Sequence, residues 1–181
     1  MASIETIYPE VENQVVVDHD FMMEVLQPYR SHTTYLKKAI FQKKEEEQEK
    51  GLMMKGEFGI ADSCYIDDTG HFNAVEFNIC FNQLAYVFYG YCIKEGLIPE
   101  LKGFESEHGE VFLEKQLSHF LIASISSSYR SQINAKHFYG EVGIDTISKK
   151  SNCTFIKMYC SFQDETNGKS KGDITLAILH P

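Results

Sequence analysis

Apolar and polar residues alternate in short, turn-bounded segments along most of the chain, and these flank one long apolar run. In that run Val75, Phe77, Ile79, Cys80, Phe81, Leu84, Ala85, Val87 and Phe88 fall on every side of a helix, the pattern of a helix buried all round. The turn Asp67-Asp68-Thr69-Gly70 supplies capping residues, so the helix is expected to start near His71 to Asn73 and to end near Gly96, with Pro99 beyond it. Before it, a short helix is expected over residues 20–27, capped by Asp18 or Asp20 and stopped by Pro28. Residues 34–41 and 53–60 read as strands, and the charge run 43–50 between them as a solvated loop. After the long helix, residues 103–115 have room for a short helix. Residues 116–129, 137–147, 153–162 and 173–179 then read as four antiparallel strands. Turns at Lys150-Ser151-Asn152 and Thr166-Asn167-Gly168 join consecutive strands.

A helix without a wet face needs a sheet curled around it. The expected fold is therefore α+β: a single domain over residues 1–181, with a curved antiparallel β-sheet wrapped around a long central helix and residues 1–17 as an N-terminal arm. One such layer leaves a helix face and a sheet edge uncovered, most simply covered by a second copy, so a dimer is expected.

Polar residues inside the apolar helix narrow the picture. At about 100° per residue, Asn78, Asn82 and Tyr86 form one stripe, while Asn73 and Glu76 lie on roughly the opposite face near the start. A buried neutral polar group without a partner costs about 1–3 kcal/mol, and a charge more. These side chains either tie the helix to sheet backbone or a second subunit, or they serve a site, and five of them around one helix start favour a site.

With 181 residues, 43% of them hydrophobic, the chain can bury one real core. The five cysteines are odd in number, sit within apolar runs and form no C-x-x-C pair, which points to reduced thiols in a cytoplasmic protein. The N-terminus does not read as a signal peptide, and no apolar stretch reaches the roughly 18–20 residues of a membrane span. The net charge of −9 is that of a poor nucleic-acid binder. Residues 1–114 hold 9 of the 17 Lys and Arg and 21 of the 26 Asp and Glu, leaving 8 and 5 for residues 115–181. The basic second half could meet phosphates of coenzyme A or an acidic carrier protein, or reflect ordinary variation in surface charge. The histidines show no ligand spacing, so no metal is expected. No serine lies in a G-x-S-x-G elbow, and no cysteine has a histidine at helix or strand spacing, so no covalent acyl-enzyme is indicated.

Tyr65-Ile66, TGHFNAVE (69–76) and CFNQLAY (80–86) resemble the FcoT-like hot-dog family, which includes mycobacterial long-chain fatty acyl-CoA thioesterases. LQPY (26–29), QLSHFLI (116–122) and DETNGKSKGDITLAIL (164–179) extend the resemblance over most of the chain from about residue 20. Departures lie at 43–50, at 104–114 and at His119. The resemblance implies a hot-dog fold that binds acyl thioesters in a tunnel at a dimer interface. It implies no cofactor, because the substrate carries its own phosphopantetheine or coenzyme A. It also implies two chemistries: the one expected here is addition of glycine to the β-carbon of a 2-enoyl thioester, with or without later release of the acid, and the alternative is hydrolysis of long-chain acyl-CoA; a non-catalytic acyl-chain binder is a third possibility.

The resemblance further implies that Tyr29, Tyr65, Asn73 and Asn82 line the site, with Tyr86 beside them. Tyr65 and Asn73 could hydrogen-bond the thioester oxygen or hold the attacking water or amine, aided by backbone N–H groups at the helix start. His71 is either a proton carrier or a residue bonding the turn backbone. Glu76 is either a base or the charge partner of an arginine across the interface. Arg130 is the candidate cation for the glycine carboxylate, or else a surface arginine. Helix geometry directs Asn82 away from Asn73, so both can belong to one site only if two subunits build it.

Overall fold

The computed structural model describes residues 14–43, 51–106 and 109–181. In chain order the elements are β1 (Gln14–Val16), α1 (His19–Val25), β2 (Leu36–Lys43), β3 (Leu52–Phe58), α2 (Ala74–Lys94), α3 (Glu110–His119), β4 (Phe120–Ser131), β5 (Phe138–Lys149), β6 (Cys153–Gln163) and β7 (Lys169–Leu179). The strands form one antiparallel sheet of order β1-β2-β3-β5-β6-β7-β4. This is the expected hot-dog arrangement, with α2 lying against the curved sheet. β4, first in sequence after the helices, crosses to the far edge, where among the described residues it pairs with β7 alone.

The start of α2 is fixed three times over. Asn73 is its N-cap: its Oδ1 accepts from Val75 N at 3.0 Å and Glu76 N at 3.3 Å, and Glu76 Oε2 accepts from Asn73 N at 3.2 Å, closing a capping box. Phe72, before the cap, packs on Phe77 one turn in, a hydrophobic staple with ring centroids 6.2 Å apart. Phe72 also meets Phe138 and Phe162 at 4.7 and 5.0 Å, so the chain's entry into the helix is buried in an aromatic cluster. Farther along, Gln83 has no exposed surface. Its Oε1 accepts from Tyr35 N and Leu36 N at 2.9 and 3.0 Å, and its Nε2 donates to Thr33 O at 2.6 Å, tying α2 to the start of β2.

The expected arm is partly a strand, because Gln14–Val16 pair with β2 in the register Gln14↔Gln42, while residues 1–13 lie outside the described residues. Lys43 ends β2 opposite Leu52, and the rest of the charge run, 44–50, also lies outside them. The expected strand 116–129 begins only at Phe120. Residues 116–119 are the last turn of α3, where Phe112 and Gln116, four apart, share the buried side of the helix. The closing strand starts at Lys169 rather than 173, right after a turn whose Asn167 takes φ +69°, a backbone state that asparagine tolerates.

The expectation of a helix buried on all sides needs one correction. Val75 is exposed, and Asn78, Ile79, Asn82 and Tyr86 are half-buried, so α2 keeps one open stripe. That stripe contains the polar residues singled out by the 100° spacing.

Candidate active site

A segment without regular structure runs from Gly59 to α2. It is hung at both ends on the chain before β5: Ile60 N donates to Ala135 O at 2.9 Å, and Phe72 N to Ile133 O at 3.0 Å. The Tyr65 hydroxyl at its middle donates to Asn73 Oδ1 at 2.8 Å, the oxygen that caps α2. Tyr65 is half-exposed, whereas Glu76 is only 3% exposed, with one carboxylate oxygen engaged by the Asn73 amide. The structure thus brings Tyr65, Asn73 and Glu76 together at the positive end of a 21-residue helix.

His71 adopts the turn-bonding position: its Nδ1 lies 3.0 Å from Thr69 O, while the Thr69 hydroxyl donates to His71 O at 3.0 Å. A carbonyl oxygen only accepts, so Nδ1 carries the proton and Nε2 of the neutral ring is left with a lone pair. Turn-bonding and proton acceptance are therefore compatible in this residue. His71, Phe72, Asn73 and Ala74 line one wall of a cavity of about 450 Å³ whose other wall is Tyr129, Arg130, Ser131 and Gln132 at the end of β4. The Ala74 N–H, first of the helix, meets no acceptor among the described residues and lies at this cavity. Arg130 forms no ion pair among the described residues.

Tyr29, Asn82 and Tyr86 are not at this cavity. They line another of about 370 Å³, with Pro28, Leu117, Phe120, Leu121 and Ile122. The Asn82 amide donates to Asn78 Oδ1 at 2.8 Å, along the open stripe. Burial pushes the Tyr29 hydroxyl well up, helped by Tyr86 and then Cys80, and burial raises Tyr86 as well. Both phenols therefore stay protonated and able to donate. The two cavities sit at opposite ends of β4, beside Tyr129–Gln132 and beside Phe120–Ile122. Asn73 and Asn82 are nine residues apart, about 13 Å along the helix at 1.5 Å per residue. Within one chain the eight candidate residues fall into two groups and not into one site.

A larger cavity of about 670 Å³, between α1, the end of α2 and α3, holds none of the candidates and is lined instead by residues such as Phe21, Glu24, Ile93 and Phe112. Among the described residues no group of three or more His, Cys, Asp or Glu could hold a metal ion, and no helix is long and apolar enough to cross a membrane. The Ala74 N–H is one of the helix-start groups the sequence led us to expect, whereas sequence reasoning missed Tyr129 and Gln83. Only Gln83 carried a signal, as the one other amide in the apolar run.

The FcoT-like thioesterase domain matches residues 24–178. A protein of Streptomyces coeruleorubidus named (2E)-enoyl-[ACP] glycyltransferase is 36% identical over 170 residues, covering 91% of this chain and 99% of that protein. Proteins of the same name from Mycobacterium marinum and Mycobacterium bovis are 29% and 31% identical, covering 94% and 92% of this chain and 91% and 89% of theirs. Among solved structures, a hypothetical thioesterase with coenzyme A from Streptococcus pneumoniae has a TM-score of 0.47 at 8% identity, covering 89% of this chain and 95% of that one. With the domain match spanning most of its length, the chain belongs to the FcoT-like thioesterase family.

Proposed function

We propose that this enzyme adds glycine to the β-carbon of a 2-enoyl thioester carried on a phosphopantetheine arm, and that it works as a homodimer. The glycine nitrogen forms a bond to Cβ, the C=C electrons move toward the thioester, and negative charge gathers on the carbonyl oxygen. The nitrogen then gives up a proton and Cα gains one, so the product is a β-aminoacyl thioester with no redox change. The free Ala74 N–H and the positive end of α2 are placed to stabilise the oxygen, and the Tyr65 hydroxyl, its proton given to Asn73 Oδ1, holds the helix cap beside them. The Nε2 of His71 is suited to take the proton from nitrogen.

The observation that carries this reading is Arg130. An arginine that forms no ion pair among the described residues and lines the same cavity as Asn73 and Ala74 suits a substrate with a free carboxylate, which glycine has and water lacks. The glycyltransferase names of the relatives support the same choice. The five cysteines are all free thiols, in keeping with a cytoplasmic enzyme.

The dimer rests on β4. From Ala123 to Ser131 every residue of this edge strand is exposed, with Leu121, Ile125 and Tyr129 near 40% and Val75 of α2 close to that. An exposed edge strand this long, serine-rich with Leu121, Ile125 and Tyr129 set along it, calls for a partner strand. If β4 pairs with its own copy about a two-fold near Ile125, the 120–122 end of one chain meets the 129–131 end of the other. The Asn82 cavity of one subunit then adjoins the Asn73 cavity of its partner, and all eight residues enter one composite site.

Plain hydrolysis is the second reading, favoured by the thioesterase family match. Incubation with a 2-enoyl carrier-protein thioester, with and without glycine, followed by mass spectrometry, decides. A gain of one glycine is expected; free acid alone would replace the proposal with hydrolysis. Unchanged thioester despite saturable binding would leave an acyl binder.

A further inference from the structure

We infer that Lys136 is a positioning residue for the reaction, acting as a latch that holds the Tyr65 segment against the start of α2. Lys136 lies in the short connection before β5, outside every motif that marks the site. Its Nζ reaches across to that segment, donating to Ala61 O at 2.5 Å and to Asp68 Oδ2 at 2.6 Å. These two contacts bracket Tyr65, three residues from Asp68 and four from Ala61.

The latch stands on a rigid base. The Lys136 amide donates to Asn134 Oδ1 at 3.0 Å, and the Asn134 amide donates to Asp164 Oδ2 at 2.7 Å. Asp164 in turn accepts from Thr166 N, Thr166 Oγ1 and Gly168 N at 2.8 to 3.0 Å in the turn between β6 and β7. On the other side, Asp68 Oδ1 accepts from Gly70 N at 2.9 Å, so the carboxylate gripped by Lys136 also shapes the turn that leads to His71 and Asn73. The hydrogen bond from Lys136 comes first in holding the Asp68 carboxyl below its ordinary range.

Within residues 61–70 Cys64 packs against the core beside Tyr35, and Lys136 grips the segment on either side of Tyr65, at Ala61 and at Asp68. Lys136 and Asp68 side chains are 50% and 43% exposed, and an ion pair so exposed adds little to global stability. Its effect is local: it sets where the Tyr65 hydroxyl sits relative to Asn73. Small misplacements at a reacting centre change rates steeply.

The role in turnover rests on the placing of Tyr65 at the reaction end, so the test has one arm that needs no activity. In hydrogen exchange of the full-length protein, Lys136→Met should speed amide exchange in residues 61–70 by roughly tenfold, with the helices unchanged, and Lys136→Arg should restore protection. In glycine transfer, Lys136→Met should lower kcat roughly tenfold to a hundredfold and leave a Tyr65→Phe enzyme no slower than it already is. Unchanged exchange in 61–70 overturns the latch whatever the reaction. Equal losses from Lys136→Met in the wild-type and Tyr65→Phe backgrounds overturn its action through Tyr65. Absence of glycine transfer in the wild-type enzyme would count against the proposed reaction alone, leaving the exchange arm to judge the latch.

Discussion

The Tyr65 hydroxyl donates to Asn73 Oδ1 at 2.8 Å, and the same oxygen accepts from Val75 N and Glu76 N. One atom thus joins the helix cap to the candidate reaction end. Asparagine and aspartate cap helices about equally well, whereas alanine costs about 1 kcal/mol or more. Asn73→Asp should therefore keep the unfolding midpoint within about a degree or two while removing activity, because it sets a negative charge where the thioester oxygen gains one. Tyr65→Phe should lower kcat roughly tenfold to a thousandfold with the fold intact. Circular dichroism beside a turnover assay checks both, and full activity in either variant removes that residue from the site.

Arg130 makes a prediction that separates the two chemistries. Arg130→Met should raise the KM for glycine at least tenfold, the loss of a charge-assisted hydrogen-bond pair, while binding of the enoyl thioester changes little. Steady-state kinetics with glycine and with the thioester varied in turn reads this directly. An unchanged glycine KM would return Arg130 to the surface.

Gln83 belongs to stability and not to chemistry. Gln83→Leu keeps the volume but strands the buried amides of Tyr35 and Leu36 and the carbonyl of Thr33, at about 1–3 kcal/mol for each group left unpaired. Urea unfolding should show a loss of at least about 2 kcal/mol. A loss below half of that would mean that water takes over the bonds.

Asp164 predicts how stability follows pH. Burial alone would raise its carboxyl, yet the hydrogen bonds from Asn134, Gly168 and Thr166 outweigh burial and hold it below the usual range. A depressed folded value contributes stability above the unfolded value of about 3.9, and that contribution is lost as pH falls through the folded value. Asp164→Asn should therefore be less stable than wild type at neutral pH, with the gap closing below about pH 4. Thermal melts across that range test it; a constant gap would assign the effect to packing.

Much of this architecture was legible from side-chain periodicity, because an apolar run that fills every helical face leaves few folds that can bury it. The capping box could be read from Asn73 and Glu76 at N-cap and N3, though their places among buried apolar residues drew attention to chemistry first. The 100° spacing separated Asn82 from Asn73 correctly, and the structure places them at different cavities. The end of α3 was hidden, since the apolar run QLSHFLI suits a strand as well as a buried helix turn. Nor can local sequence show that β4 crosses to the sheet edge, where Leu121, Ile125 and Tyr129 are left exposed. Lys136 gave no signal because its role comes from a long-range contact.

The composite site is tested most directly by mixing two inactive variants. Asn73→Asp damages one cavity and Asn82→Ala the other, and each homodimer should be inactive. After subunit exchange, verified by native mass spectrometry, half the dimers are mixed and each has one intact site, so activity should return to about a quarter of wild type. Mixed dimers that remain inactive would contradict a site shared between two chains.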